Sequence, residues 1–413
     1  MALHNDDRKI LKVLGEQYME YASLSIHDKK IDLWKSLNRS AMERPMVCID
    51  QLPWNELNDQ GELTCFINDP YWRGIEMELR QTLYKWRHFP VDMVLEPFIT
   101  IPRVFSDTGF GLTSDIDSIS LEKDTTAAAR HYNRVLKNDE DLDKIGLKHI
   151  VVDEKSSMRF YDEAEDIFRG IAPLVQSHGY QFHLGIWDNL SEFIGMEEVY
   201  YEFLDRPEFL HACLERLTDS VIQGIKDVNE QAFSNDISPI CHCSYVYDDT
   251  FLPSPGQGKG PLTQNSWAFG LAQLFTAVSP QKFAEFEIPY ISRMAEYFGN
   301  IYYGCCDRLD DRLDLVKTIP NVRKVSCSPW SWRKEFAENI GRELIMSNKP
   351  TPAFLAMEQM DWNEVRADLQ YTVDLARENH VNLEFILKDI STVHHDPQRL
   401  SRWAEIAMEV VES

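Results

Sequence analysis

Short runs rich in β-branched and aromatic residues alternate along this chain with amphipathic stretches, and this alternation limits the folds that the chain can adopt. The amphipathic stretches, such as 279–299 and 363–380, place apolar residues three and four positions apart, as one face of a helix requires. Strands that alternate with helices are typical of α/β folds with a buried parallel sheet. The clearest strand candidates are the runs 236–245, 300–307, 321–329, 343–350 and 382–389.

Earlier in the chain, four further runs raise the number of candidate strands to nine, and these are 45–51, 91–99, 147–153 and 181–188. We predict a (β/α)8 TIM barrel over residues 45–413, with run 147–153 outside its eight strands. Residues 1–44 are predicted to form an N-terminal helical extension. We interpret the glycine-rich segment 254–261 as a loop over the mouth of the barrel, and the segment 266–275 after it as a helix.

Charge and composition exclude several classes of partner. The 413 residues include 42 basic and 67 acidic side chains, a formal charge of −25, which repels nucleic acid and anionic membrane surfaces. We see neither a signal-peptide apolar region nor an apolar run near the roughly 18 residues that span a bilayer, and we expect a cytoplasmic protein. Eight cysteines are too sparse for a disulfide scaffold, so thiols or metal ligands are expected.

A residue that can take part in catalysis or bind a metal stands at the end of several predicted strands. In a barrel, the carboxyl ends of all strands converge on one face, where the active site lies. A single acid at such a position can equally cap a helix or face solvent in a loop. Together they predict one site at the mouth of the barrel, made of Asp50, Glu96, Asp188, Cys243, Cys306 and Asp389.

The thiols at these strand ends are candidate metal ligands. Zinc prefers four tetrahedral ligands, often thiolates or imidazoles, and a catalytic zinc keeps one position open. Cysteine is also often buried as a small apolar group, and a cysteine nucleophile with His242 as its base is a third alternative. Alternation along a strand would point Cys305 and Cys306 to opposite faces, so we expect only one of them to need to face the site. The candidate zinc ligands are Cys306, Cys305, Cys243 and His242.

Acidic and aromatic side chains complete the predicted site. Lys388 and Asp389 end the last strand, where a lysine among apolar residues is costly unless it is paired or functional. The candidate catalytic acids are Glu96, Asp188, Asp307 and Asp389. Aromatic residues that either form an apolar substrate pocket or belong to the core are Trp54, Trp267, Phe269 and Tyr303.

The same segments resemble a known family. YYGCCDRLDDRLDLVKTIPNVRKVSCSPW, LIMSNKPTPAFLA and FILKDISTVHHDPQRLSRWAEIAMEVVE are similar to the uroporphyrinogen decarboxylase-like superfamily, and the resemblance runs from about Arg44 to the end. It implies a (β/α)8 barrel. It also implies one of two activities, because the superfamily contains porphyrinogen decarboxylases and zinc-dependent methyltransferases that act with corrinoid proteins.

The resemblance favours the methyltransferases. The decarboxylases carry an arginine in the loop after their first strand, whereas this chain has IDQLPWNEL there, with Asp50 and Glu56, which would repel a polyacid. The methyltransferases end one strand with His-x-Cys and the last strand with a second cysteine. Gly304-Cys305-Cys306 matches the first pattern without the histidine, and Lys388 or Asp389 stands near the second. Cys305, Asp307, Glu96 or His242 are the residues that could complete the ligand set.

We therefore expect a methyltransferase that moves a methyl group from a small methylated, for example methoxylated, compound to a corrinoid carried by a separate protein. No Asp-x-His-x-x-Gly cobalamin loop occurs in the sequence, so the corrinoid must come from that partner. Two alternatives stay open: a decarboxylase or other carbon-carbon lyase acting on a small acid, and a barrel that binds a ligand without turnover. The oligomeric state also stays open, with a homodimer among the options.

Overall fold

The computed structural model describes residues 3–58, 60–119, 129–177, 180–231, 238–251 and 262–413. The loop predicted at 254–261 lies outside the described residues. The helices are α1 Asn5–Ala22, α2 Ile26–Asn38, α3 Pro70–His88, α4 Glu154–Phe168, α5 Ile186–Ile194, α6 Met196–Asp205, α7 Pro207–Glu230, α8 Pro280–Phe286, α9 Ile288–Ala295, α10 Leu313–Val316, α11 Arg333–Ile340, α12 Trp362–Asn379 and α13 Gln398–Val411. The strands are β1 Met46–Ile49, β2 Ile99–Pro102, β3 Phe105–Asp107, β4 Asp115–Ile119, β5 Ala129–Asn133, β6 Ile150–Val152, β7 Leu174–Ser177, β8 Ile240–Cys241, β9 Ser244–Tyr245, β10 Trp267–Gly270, β11 Asn300–Tyr303, β12 Val322–Cys327, β13 Ile345–Asn348 and β14 Asn382–Leu387.

A curled sheet of six parallel strands forms the centre of the molecule, in the order β1-β14-β13-β12-β11-β10. Every residue of β1, β10, β11, β13 and β14 is buried, and most of these residues are apolar, as is typical of parallel strands covered on both faces. Helices α11 and α12 connect β12, β13 and β14 in sequence, as parallel neighbours require. Since the strands are parallel, all their carboxyl ends lie at one edge of the sheet.

Two extended segments border this sheet without becoming regular strands. At one edge, the Asp92 amide donates to the Val47 carbonyl of β1 at 3.1 Å. At the other, the Leu184 amide donates to the Phe269 carbonyl of β10 at 2.7 Å. The described residues thus form a curled half-barrel with two bordering segments, and the predicted closed barrel of eight strands is not shown.

Several predicted strands differ from the observed elements. Segment 266–275, predicted as a helix, contains β10, because a short apolar run suits either a buried strand or a buried helix until its neighbours are known. Run 236–245, predicted as a barrel strand, instead contains the antiparallel hairpin β8–β9 in its described part. In run 181–188, helix α5 begins at Ile186, and in run 91–99 the regular strand β2 begins only at Ile99.

The remaining strands form small sheets outside the centre. Strand β6, from run 147–153, pairs antiparallel with β3, in agreement with the expectation that it lies outside the main sheet. Strand β2 pairs with β7, and β4 pairs with β5. None of the helices in the described residues combines the length and the apolar character needed to cross a bilayer.

The β8–β9 hairpin is bound to the inner face of the central sheet by a buried ion pair. Lys324 of β12 and Glu384 of β14 lie 2.7 Å apart and are fully buried. The Ser244 hydroxyl of the hairpin donates to the Glu384 carboxylate at 2.8 Å, and Lys324 donates to the Ser244 oxygen. These contacts satisfy charges that would otherwise be costly to bury. They hold the hairpin beside the carboxyl ends of the strands.

Candidate functional site

A cavity of about 670 Å³ opens at the carboxyl ends of β1, β10, β11 and β14, beside the turn of the β8–β9 hairpin. Its position is the one expected for a ligand site in a parallel α/β sheet. Most of the residues proposed from the sequence meet here. The proposed residues that line it are Asp50, Asp188, His242, Cys243, Trp267, Phe269, Cys305, Cys306 and Asp389.

The turn after β11 brings both adjacent cysteines to the cavity. Strand β11 ends at Tyr303, and Gly304 adopts a φ of +91°, which a side chain rarely tolerates. A Cβ at Gly304 would also lie 2.6 Å from the Leu309 side chain. Because the alternation of side chains stops where the strand stops, Cys305 and Cys306 both line the cavity, whereas a continuing strand would point them to opposite faces.

Four side chains form a compact group at this turn and at the end of β14. The Sγ atoms of Cys305 and Cys306 are 3.6 Å apart, and Cys306 Sγ lies 3.4 Å from Asp389 Oδ2. The Lys388 ammonium donates to Cys305 Sγ at 3.2 Å and to Asp389 Oδ2 at 2.6 Å. One buried cation therefore contacts both a thiol and a carboxylate.

The electrostatics of this group favour a thiolate at Cys305. A hydrogen bond from Cys306 lowers the pKa of Cys305 to about 7, against the effect of burial, and the charge of Lys388 adds to the shift. Cys305 in turn raises the pKa of Cys306, which keeps its proton. Burial alone would lower the pKa of Lys388, but Cys305 and Asp389 raise it. The group thus brings a thiol that ionises near neutral pH into contact with the Lys388 ammonium and the Asp389 carboxyl group.

The geometry of the donors fits a metal ion. The ligand atoms of Cys305, Cys306 and Asp389 all lie within 4.8 Å of one another. Two thiolates on a tetrahedral zinc stand about 3.8 Å apart when each bond is about 2.3 Å, close to the observed spacing of the two cysteine sulfurs. Three protein ligands leave the fourth position open, as catalytic zinc requires. Lys388 already contacts two of the donors, so a metal there would require its ammonium to turn away.

The hairpin turn forms a second wall with different chemistry. His242 and Cys243 are the two central residues of this turn, and their φ values of 45° and 67° are those that a two-residue hairpin favours. The His242 ring stacks on Phe269 with centroids 3.5 Å apart, and burial lowers its pKa so that it stays neutral. Its Nε2 atom has no partner among the described residues, and no described hydrogen bond joins it to a cysteine.

The predicted acids occupy three different environments. Asp188 lines the cavity from the first turn of α5, and burial, together with Asp307 and Glu192, raises its pKa to about 6. Asp307 is buried behind the turn, where it accepts the Cys305 amide at 2.7 Å. Glu96 accepts the Tyr247 hydroxyl and is absent from the described lining of the cavity.

Only two of the four predicted aromatic residues line the main cavity. Trp267 and Phe269 of β10 line the cavity, whereas the Tyr303 hydroxyl donates at 2.9 Å to Glu287 in the core. Trp54 packs edge-on against Tyr84 and borders a smaller cavity of about 370 Å³. Tyr303 points away because it lies on the opposite face of β11 from Tyr302.

Other residues of the cavity were not proposed from the sequence. Three of them, Gln181, Phe182 and His183, lie on the segment beside β10, and Gln51 follows Asp50. Gln51 and Asp389 hold positive φ values of 49° and 56°. Such strained backbone is frequent at functional sites, but no residue type in the sequence signals it here.

Comparisons with known proteins find similarity in fold but not in sequence. No protein-family model matches the chain, and no curated protein is found to be similar in sequence. Among solved structures, a methyltransferase from Methanosarcina mazei is similar in fold, with a TM-score of 0.51 over 91% of this chain and 97% of that chain. The sequences are 12% identical, so this likeness concerns the fold alone.

Proposed function

We propose that this protein is an enzyme that takes a methyl group from a small methylated compound and transfers it to a reduced corrinoid carried by a partner protein. The observation that carries the proposal is the group of Cys305, Cys306 and Asp389 on the wall of a cavity, with Lys388 in contact. The proposal includes membership of the uroporphyrinogen decarboxylase-like superfamily. It also includes a closed (β/α)8 barrel, which the two segments that border the six-stranded sheet support.

The chemistry of methyl transfer explains why such a group is useful. An ether oxygen or an amine is a poor leaving group, so a positive charge or a proton donor must take up the charge that develops as the methyl group departs. Zinc bound by Cys305, Cys306 and Asp389 would act as a Lewis acid on the atom that carries the methyl group. Asp188, with its pKa raised to about 6, can exchange a proton on the same cavity wall near neutral pH.

The alternative of a decarboxylase for a polyacid receives less support from the cavity. Its described lining contains three carboxylates, those of Asp50, Asp188 and Asp389, and Lys388 is the single cationic side chain there. A substrate with several carboxylates needs several positive partners to offset its charge. The described residues do not offer them.

Metal analysis tests the ligand set directly. Purified wild-type protein should hold about one zinc ion per chain, and Cys306→Ala should hold none, because the site loses one of three ligands. Cys65→Ala is the matched control, since Cys65 is a partly exposed free cysteine outside the described cavity lining. Equal zinc in wild-type protein and Cys306→Ala would remove Cys306 from the site.

Methyl transfer is tested with free reduced cobalamin as the acceptor. The protein is mixed with it and with a panel of methoxylated aromatic compounds and methylated amines, and methylation of cobalt is followed by absorbance. We expect transfer from at least one compound, with loss of activity in Cys306→Ala. Efficient turnover of a substrate without any corrinoid would contradict the proposed reaction and would favour a lyase.

A further inference from the structure

The charged side chains on the wall of the main cavity are unevenly paired. Asp389 contacts Lys388 at 2.6 Å, and Asp50 lies 3.5 Å from Lys85, outside the cavity. Asp188 also lines the cavity, but within the described ranges no hydrogen bond or ion pair reaches its carboxylate. One acidic group of the cavity is therefore left without a positive partner.

Neighbouring side chains cannot supply the missing charge. His183 and His242 line the same cavity, and burial lowers the pKa of both, so they are neutral at pH 7. Burial raises the pKa of Asp188 to about 6, with Asp307 and Glu192 adding to the shift, which leaves the group mostly ionised at neutral pH. A bound cation would relieve both the burial of this charge and its repulsion by nearby acids.

Aromatic rings share the cavity with Asp188. Besides the imidazoles of His183 and His242, the rings that line it are Tyr180, Phe182, Trp267 and Phe269, and one face of Phe269 is stacked on His242. Aromatic faces attract ammonium groups, and the attraction grows when the cation leaves water. A wall with aromatic rings and one unpaired carboxylate suits a cation whose charge is spread over methyl groups. It disfavours an anion of the same size.

We propose that the substrate carries its methyl groups on a positively charged nitrogen, as a quaternary ammonium compound does, and that Asp188 selects it by charge. This inference rests on the proposed methyl transfer for the fate of the compound. Its binding part rests on the cavity alone. Asp188 is then a specificity residue that contacts the substrate.

The reaction balances without a proton for such a substrate, and its nitrogen, which has no free electron pair and leaves as a neutral amine, needs no Lewis acid. The bond between nitrogen and one methyl carbon breaks, and its electron pair stays on nitrogen, which becomes a neutral tertiary amine. The methyl carbon forms its new bond with the electron pair of the reduced cobalt of the corrinoid partner. The positive charge of the substrate disappears as the methyl group leaves, and the tertiary amine takes up a proton once it reaches water.

Binding of two molecules of nearly equal shape tests the proposal. Choline carries a trimethylammonium group, and 3,3-dimethyl-1-butanol replaces its nitrogen by carbon. By titration calorimetry, choline should bind wild-type protein at least about tenfold more tightly than the neutral compound. Asp188→Asn should abolish this preference, while Asp314→Asn, which removes an exposed carboxylate with 97% of its side chain accessible, should keep it.

Each outcome decides the proposal. Equal affinity for the two compounds in wild-type protein, no binding of choline, or an unchanged preference in Asp188→Asn would overturn it. Thermal unfolding shows whether Asp188→Asn folds, and if it does not, the preference of the wild-type protein decides. Preferred choline binding without methyl transfer to cobalamin would keep this inference and contradict the proposed function, so the two failures are distinguishable.

Discussion

One wall of the cavity carries a cysteine whose pKa is lowered, Cys305, and the other wall carries cysteines whose pKa values are raised. At the turn after β11, Cys306 and Lys388 lower the pKa of Cys305 to about 7. At the β8–β9 hairpin, burial raises the pKa of Cys241 to about 12 and also raises that of Cys243. The difference indicates that contacts with a neighbouring thiol and a cation, and not position on a cavity wall, lower the pKa of a cysteine.

The contacts of the β8–β9 hairpin, which forms the second wall of the cavity, are structural. Ser244 joins the hairpin to the buried pair of Lys324 and Glu384, and His242 stacks on Phe269. The hairpin therefore shapes the cavity and holds an aromatic surface in place. The turn after β11 supplies the reactive groups.

The largest expected effect is a difference in alkylation between the two walls. In protein treated with a chelator, iodoacetamide at pH 7 should modify Cys305 at least about a thousandfold faster than Cys241, because the thiolate is the reactive form. The rate at Cys305 should rise as pH passes 7 and level off above it. Peptide mass spectrometry measures both sites, and in denaturant both should react alike. Comparable alkylation rates of Cys305 and Cys241 in the folded protein would contradict the predicted difference between the two walls.

The next largest expected effect is a change in the pH dependence of stability, and it concerns Glu287, behind the turn after β11. Glu287 is fully buried, and burial raises its pKa from 4.5 to about 8. The folded protein then holds a proton that the unfolded chain releases above pH 4.5, so this group's contribution to stability is lost as pH rises from 4.5 to about 8. Glu287→Gln should reduce the fall in unfolding free energy over this range by roughly 2–4 kcal/mol.

Urea unfolding at pH 5 and pH 8 measures this change. Glu215→Gln is the control, because the Glu215 side chain is 54% accessible, and it should keep the pH dependence of the wild-type protein. Glu287→Gln with the same pH dependence as the control would show that Glu287 does not hold its proton in the folded state.

The smallest expected effect measures how much Lys388 alone lowers the pKa of Cys305. Lys388→Met should slow alkylation of Cys305 at pH 7 about tenfold in chelator-treated protein, because the thiolate loses the ammonium that lies 3.2 Å away. Lys85→Met removes a lysine that pairs with Asp50 at 3.5 Å and should leave this rate unchanged. Equal rates in the two variants would assign the shift to Cys306 alone.

Local sequence predicted the central strands well. The runs that became β1, β11, β12, β13 and β14 are rich in apolar, β-branched or aromatic residues, because burial on both faces favours such residues at most positions. Parallel strands place their carboxyl ends at one edge, so the meeting of Cys305, Cys306 and Asp389 followed from the order of strands in the sequence.

Long-range contacts set the remaining features. Strand β10 lies where local sequence predicts a helix, because its pairing with β11 involves residues about 30 positions away. Asp307 and Tyr303 were proposed for the site, yet the turn at Gly304 and the two faces of β11 direct them into the core. The ionisation of Cys305 depends on Lys388, 83 positions along the chain. Strand propensity is a property of neighbours in sequence, whereas side-chain direction and charge state depend on neighbours in space, which folding alone brings together.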